Sequence, residues 1–210
     1  MNGLAFLHTK TKNQDTQRHL NYITINHFKN KKANTIIIYL KIILRRLRSR
    51  NFQITVVHGD NEFNVDSIKD ACVPSNFHIC SKNEHIPVIE RSIRTVKERA
   101  RCTSHSIPYV CYPKITTIAL MEQIEIWLNA FPSADGILDT VGPANIVEGK
   151  PNMDCNKSFV PFGAYTLVYV GTNNTLDART VPAIALNAAN DFGGYYFLSL
   201  ETGKRIHSKR

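Results

Sequence analysis

The stretch Ile54–Arg101 constrains the fold more than any other part of the sequence. It opens with an apolar run, Ile54–Val57, that leads within three residues to Asp60. It closes with an amphipathic helical pattern that begins at Pro87 and carries Glu90 in its first turn. Alternation of an apolar strand and an amphipathic helix predicts a sheet with helices on its faces. An acid at the end of a strand also predicts a ligand site, because α/β sheets bind ligands at the carboxyl ends of their strands.

Hydrophobic periodicity and turn residues predict the other elements. Period-two alternation predicts a hairpin of strands over 3–9 and 20–28, and helical spacing predicts a helix over 35–50. Further strands are predicted at 53–57 and 76–80, and helices at 65–71, 87–104, 115–130 and 143–147. Beyond residue 160, strands at 164–170, 181–186 and 195–200 alternate with turns rich in glycine and asparagine. The sequence therefore predicts a mixed α/β part followed by an all-β part.

The length of 210 residues accommodates one large domain with a small appendage. We expect a core over residues 1–132, a connector rich in Pro, Gly, Asp and Asn over 133–160, and a small β module over 161–210. No run approaches the roughly 18–20 apolar residues of a membrane span. The start lacks the basic region and the apolar core of a signal peptide. We therefore expect an intracellular protein with no membrane partner.

The positive charge of the chain is concentrated in its first part. The formal net charge is +9, and residues 1–114 contain 19 Lys and Arg against 8 Asp and Glu. Residues 115–210 contain 7 against 9. This asymmetry predicts a polyanionic partner for the first part, with nucleic acid as the leading candidate. The alternative is a solvated basic surface with no partner.

The five cysteines are irregularly spaced, which is typical of reduced intracellular thiols. Their spacing relative to the histidines fits no common zinc-ligand pattern. We therefore expect buried thiols and surface histidines in place of a zinc site.

Asp60 and Glu90 are the candidate catalytic and metal-binding residues. Two-metal nucleic-acid enzymes bring carboxylates from different elements around two Mg²⁺ ions, which activate the attacking oxygen and stabilise the leaving one. Glu90 is followed at offsets of 4, 7 and 11 by Arg94, Lys97 and Arg101, which we call the basic stripe. One helix face with an acid and a row of cations is suited to follow a phosphate backbone.

Each acid also has a simpler interpretation. Asp60 can serve as a cap after a strand, and Glu90 can complement the dipole of its helix and pair with Arg94 four residues on. Taken singly, these structural roles explain each residue at least as well as metal binding does. Only the two acids together favour a catalytic role.

The two acidic motifs resemble the catalytic core of retrotransposon integrases, most closely the copia-type elements with long terminal repeats. The resemblance is carried by Val57–Phe63, with the sequence VHGDNEF, and by Asn83–Thr95, with the sequence NEHIPVIERSIRT. It extends to Trp127–Asn129 in a later helix and to the paired motifs GYYF and ETGK in the tail, which begin at Gly194 and Glu201.

The resemblance implies a ribonuclease H-like fold in which three acids, two Asp and one Glu, bind Mg²⁺ or Mn²⁺. Asp60 matches the second Asp and Glu90 matches the Glu. The implied fold class is α/β, a ribonuclease H-like mixed sheet with flanking helices and its first strand missing, followed by a small all-β module. The implied function is DNA integration by polynucleotidyl transfer, with DNA as partner and the nucleus as location. Self-association is left open.

This sequence departs from the family pattern at the first acid of the triad. In the family order the first strand and its Asp would precede Met1, and Asp15, the only earlier Asp, falls in the predicted hairpin loop. We therefore expect an N-terminally truncated core that is inactive alone. The alternative is a non-enzymatic basic module that binds nucleic acid or assembles with a partner.

Overall fold

The computed structural model describes residues 20–28, 30, 32–80, 87–134, 136–149, 151, 160–171, 176, 178–189 and 193–209. The predicted strand 3–9 and Asp15 lie outside these residues. None of the helices in the described residues combines the length and the hydropathy that a membrane-spanning helix requires.

From residue 33 onward the elements follow the predicted order closely. The helices are α1 (Ala33–Arg48), α2 (Asp66–Cys72), α3 (Pro87–Ser106), α4 (Lys114–Ala130) and α5 (Pro143–Glu148). The strands are β1 (Val56–Asp60), β2 (Asn76–Cys80), β3 (Tyr165–Tyr169), β4 (Thr180–Ala188), β5 (Tyr195–Ser199) and β6 (Arg205–Ser208). The fold is therefore a mixed α/β arrangement that contains both parallel and antiparallel sheets.

The chain divides into two compact units. Unit 1 contains Met1–Thr95 and Glu125–Met153, and unit 2 contains Val96–Ile124 and Asp154–Arg210. The unit boundaries fall inside α3 and inside α4, so each of these helices contributes residues to both units. The expected partition into 1–132, 133–160 and 161–210 stays a prediction.

Unit 1 is built on the parallel pair β1–β2. The register places Val56 opposite Asn76 and Asp60 opposite Cys80, and α2 lies in the connection between the strands. Its core consists of apolar side chains from α1, α2, β1 and α5, including Leu44, Leu47, Ile68, Val57 and Val147. Helix α1 buries one stripe because Leu40, Ile43, Leu44 and Leu47 recur at helical spacing.

The strand β1 begins later than the sequence predicts. The apolar run favours 53–57, but the observed strand is Val56–Asp60 and includes the polar end of the motif. Backbone pairing with β2 continues through His58 and Gly59, and pairing does not require an apolar side chain.

The prediction of a hairpin arm over 20–28 is wrong, because these residues do not form a strand. The backbone of this segment bonds instead to side chains of α4. Asn129 accepts from the Ile23 N–H at 2.9 Å and donates to the Ile23 carbonyl at 2.6 Å, and Glu125 accepts from the Ile25 N–H at 2.9 Å. Two residues of extended chain and four residues of helix each advance about 6–7 Å, so the two rows match.

A partly buried polar cluster joins the same segment to α1 and α5. The Tyr22 hydroxyl donates to Glu148 Oε1 at 2.9 Å and accepts from Arg46 Nη1 at 2.9 Å. Arg50 then donates to the Glu148 carbonyl at 2.8 Å, at the C-terminus of α5. The Arg50 bonds satisfy the last carbonyls of the short helix α5, and the positive charge of Arg50 interacts favourably with the negative end of the helix dipole.

Unit 2 contains the antiparallel sheet β3-β4-β5-β6. One face packs against α4 through Ala119, Ile184, Leu186 and Leu198. The opposite face buries Val168, Ala183, Ala185 and Phe197. The three predicted strands of the all-β part are confirmed in place. Strand β6 was not predicted, because its sequence, RIHS, is short and polar and it becomes a strand only by pairing with β5.

A polar link within unit 2 connects α4 to the sheet. Glu122 accepts from Asn187 Nδ2 at 3.1 Å and pairs with Arg205 Nη2 at 3.1 Å. The Arg205 guanidinium lies 3.7 Å from the centre of the Tyr196 ring. Asn187 is only 3% exposed, so its bonds remove the cost of burying an amide.

The Tyr22 cluster leads to a pH prediction. Burial first, and the Glu148 carboxylate second, raise the pKa of Tyr22 to about 12. Because the folded-state pKa lies above the unfolded value, this stability is fully present below about pH 10 and is lost as the pH rises toward 12. We expect the free energy of unfolding to fall by about 1.4 kcal/mol at pH 11 through this residue alone.

Urea unfolding at pH 9 and pH 11, followed by the fluorescence of Trp127 in unit 1, measures this loss. Tyr22→Phe is expected to remove this part of the alkaline loss. Tyr169→Phe, at an exposed tyrosine of unit 2, is the matched control and should keep the wild-type dependence. An unchanged pH dependence in Tyr22→Phe would contradict the assignment.

Candidate active site

Asp60 is the last residue of β1 and its side chain is exposed. Its Oδ1 atom accepts a hydrogen bond from the Asn61 N–H at 2.7 Å and caps the 3₁₀ turn Asn61–Phe63. The predicted position at the carboxyl end of a strand is therefore observed, and so is the simpler capping role.

Glu90 is exposed in the first turn of α3. Most of the motif that precedes it, residues 83–86, lies outside the described residues. Both acids belong to unit 1, Asp60 on a strand and Glu90 on a helix. A carboxylate in the first turn complements the positive end of the helix whatever its function.

The basic stripe runs along α3 beside a buried stripe. Arg94, Lys97 and Arg101 are all exposed. One residue before each lies an apolar position: Ile93 and Ala100 are half-buried, and Val96 is 0% exposed. Because successive helical residues differ by about 100° around the axis, the cations lie on the flank of the buried stripe and reach solvent.

The described residues do not fit a two-metal site by themselves. Among them, no group of three or more His, Cys, Asp or Glu side chains is placed to hold a metal ion. Asp60 and Glu90 are thus positioned on the expected kinds of element, but they stay candidate ligands.

The thiols differ in part from their prediction. In the part of the chain that the structure describes, only Cys72 of the cysteines Cys72, Cys80, Cys102 and Cys111 is buried. Cys80 is half-buried, and Cys102 and Cys111 are exposed. The expectation of buried thiols is therefore wrong for the last two. Both flank the end of α3, where the helix gives way to an exposed loop.

Strand alternation creates a feature that sequence reasoning missed. Side chains two residues apart share one face of a strand, so the potential metal donors of β1 and β2 lie on one face of the pair. The face that carries the histidines, which we call the donor face, is formed by Val56, His58 and Asp60 of β1 and by Asn76, His78 and Cys80 of β2. The register His58 opposite His78 and Asp60 opposite Cys80 was not visible until the two strands were paired. The signal lay in the period-two pattern of both segments.

Gly59 sets the position of the donor face. It lies on the opposite face, where a Cβ atom would collide with the ring of Phe77. Phe77 packs against the core of unit 1. The glycine between His58 and Asp60 therefore leaves room for the Phe77 ring on its own face of β1. The side chains of His58 and Asp60 lie on the other face, which is the donor face.

The chain was compared with known proteins. No protein-family model matches it, and no curated protein matches it. Among solved structures, the catalytic core domain of BIV integrase, seen in crystal form I, is similar over 64% of this chain and 82% of that chain. The TM-score is 0.43 and the sequence identity is 15%. A similarity of this size does not by itself establish a shared activity.

Gly59→Ala is expected to destabilise unit 1 by about 1–3 kcal/mol, because the added methyl group must displace the Phe77 ring. Urea unfolding followed by Trp127 fluorescence measures the change. Gly171→Ala is the control, since a Cβ atom there meets nothing within 4 Å. Adding Phe77→Leu to Gly59→Ala should recover part of the loss, and a Gly59→Ala variant as stable as wild type would refute the packing argument.

Proposed function

We propose that this chain is a retroelement integrase-like protein that binds DNA through α3 and does not transfer DNA strands by itself. One observation carries the proposal. An acid ends a parallel strand, and a second acid in the first turn of α3 leads into an exposed basic stripe on the same helix. The sequence resemblance to copia-type integrases supports the assignment of Asp60 and Glu90 to two positions of the acidic triad.

The basic stripe is suited to phosphate contact because its three cations are exposed and occur about one helical turn apart. Each Lys or Arg that neutralises a phosphate releases condensed counterions, so binding weakens as salt rises. The stripe reads no base and gives affinity without sequence preference. The excess of basic residues before residue 115 adds long-range attraction.

The acids support a weaker metal site than the family uses. Magnesium prefers carboxylate oxygen and keeps several waters, and it would supply Lewis-acid stabilisation of phosphate charge when bound. Asp60 and Glu90 are the residues proposed to hold it. A two-metal centre needs a further carboxylate that the described residues do not place beside them. No catalytic step is therefore assigned to these 210 residues alone.

The rival function is a basic nucleic-acid-binding or assembly module without a metal. It is favoured by the same exposed stripe and by the capping bond of Asp60, which gives that acid a purely structural role. The two functions make opposite predictions for Mg²⁺, because only the integrase-like one assigns a ligand role to the acids.

The DNA-binding face is tested by removing three positive charges from the basic stripe and, in a control, three positive charges from elsewhere. Replacing Arg94, Lys97 and Arg101 by Gln is expected to reduce the slope of log binding constant against log salt by about 2–3. The control variant replaces Arg179, Lys204 and Lys209, three exposed cations of unit 2, and lowers the net charge equally. Fluorescence anisotropy with duplex DNA measures both. Equal losses in the two variants would show that overall charge, not the stripe, binds DNA.

The metal role is tested by Asp60→Asn and Glu90→Gln. We expect Mg²⁺ to change the DNA affinity of the wild-type chain and to change that of the double variant much less. Unchanged or tighter DNA binding, with the Mg²⁺ response retained, would favour the rival module. Mg²⁺-dependent strand transfer by the purified wild-type chain would refute the proposal that it is inactive alone.

A further inference from the structure

The donor face collects metal-binding side chains in a way that the apolar face does not. Along β1 the alternate positions His58 and Asp60 carry nitrogen and oxygen donors, and along β2 the paired positions His78 and Cys80 carry nitrogen and sulfur donors. The opposite face carries Val57, Gly59, Phe77 and Ile79 and contributes Val57 and Phe77 to the core.

The two histidines are cross-strand partners with their rings close together. Their ring centroids are 5.7 Å apart, and the ring planes are inclined by 51°. Two imidazoles that share one tetrahedral zinc ion at about 2.0–2.1 Å have ring centroids roughly 5 Å apart. The observed centroid separation is therefore close to that of two imidazoles that share a zinc ion.

Access and rigidity also favour binding at this place. His78 is exposed and His58 is half-buried, so an ion can arrive from solvent. Both residues lie on paired strands, and elements with fixed backbones hold ligands more accurately than loops do. On the opposite face, the packing of Gly59 near the Phe77 ring constrains the position of β1.

We propose that His58 and His78 form a two-imidazole site for a borderline divalent transition-metal ion such as Zn²⁺, Co²⁺ or Ni²⁺. Imidazole nitrogen suits these ions, whereas Mg²⁺ prefers oxygen. Within the described residues no third His, Cys, Asp or Glu completes a group around an ion, so water fills the other positions. The ion links β1 to β2 and stabilises the folded state by mass action. The site is independent of the proposed function, since it needs neither DNA nor Glu90.

The test is titration of the full 210-residue chain with Co²⁺ at fixed pH, followed by visible absorption and calorimetry. Loss of even an outer-shell partner weakens metal binding by about 10–100-fold, so His58→Gln and His78→Gln should each weaken it by more than about tenfold. The matched control is His105→Gln, at an exposed histidine near the end of α3, which should bind like wild type.

Thermal melts give a second readout. Zn²⁺ is expected to raise the Tm of the wild-type chain and of His105→Gln, but not that of His78→Gln. Addition of Mg²⁺ should not change which of these proteins Zn²⁺ stabilises. Metal-free melts check that each variant folds; because His78 is exposed, His78→Gln carries the test if His58→Gln does not fold. Absence of Co²⁺ binding to wild type, or wild-type affinity in both histidine variants, would overturn the proposal. Binding that is lost in Cys80→Ser but kept in the histidine variants would overturn it as well.

Discussion

The close packing of Gly59 against the Phe77 ring constrains how β1 and β2 lie together in unit 1. A glycine at this position lets β1 lie against the aromatic side chain of its neighbour strand, and no larger residue fits without displacing the ring. With this contact in place, the two-residue period of each strand determines which face of the β1–β2 pair every other side chain occupies. His58 and Asp60 are thereby kept on the face opposite the core, where both proposed ion-binding roles become physically possible.

Polar side chains of α4 and α5 then complete the units. Asn129 and Glu125 bond to the backbone of residues 20–28, and Glu148 joins Tyr22 to Arg46. In unit 2, Glu122 plays the corresponding role toward the sheet. These bonds satisfy polar groups that burial would otherwise leave unpaired. Leaving a buried polar group without a partner costs more free energy than a typical hydrogen bond contributes. The helices therefore serve as sources of polar partners as well as apolar surface.

The accuracy of the sequence predictions follows the range of the interactions involved. Helices α1, α3 and α4 were predicted within about two residues, because apolar spacing and proline at a first turn are local signals. The hairpin arm at 20–28 and strand β6 were not, because their backbone partners lie on other elements. For the candidate site, the sequence indicated the elements that carry Asp60 and Glu90. The donor face required the register between β1 and β2.

The sequence alone determined helices α1, α3 and α4, the elements on which the acids and the basic stripe lie, and the concentration of positive charge before residue 115. It also placed strands β3, β4 and β5 beyond residue 160, because periodicity distinguishes strand from helix. Only the tertiary structure decided that β1 pairs with β2 in parallel, that His58 meets His78, and that residues 20–28 bond to α4 instead of forming a strand. The physical reason is that hydrophobic period is encoded within each segment, whereas register and side-chain-to-backbone bonding depend on groups that folding brings together across long stretches of chain.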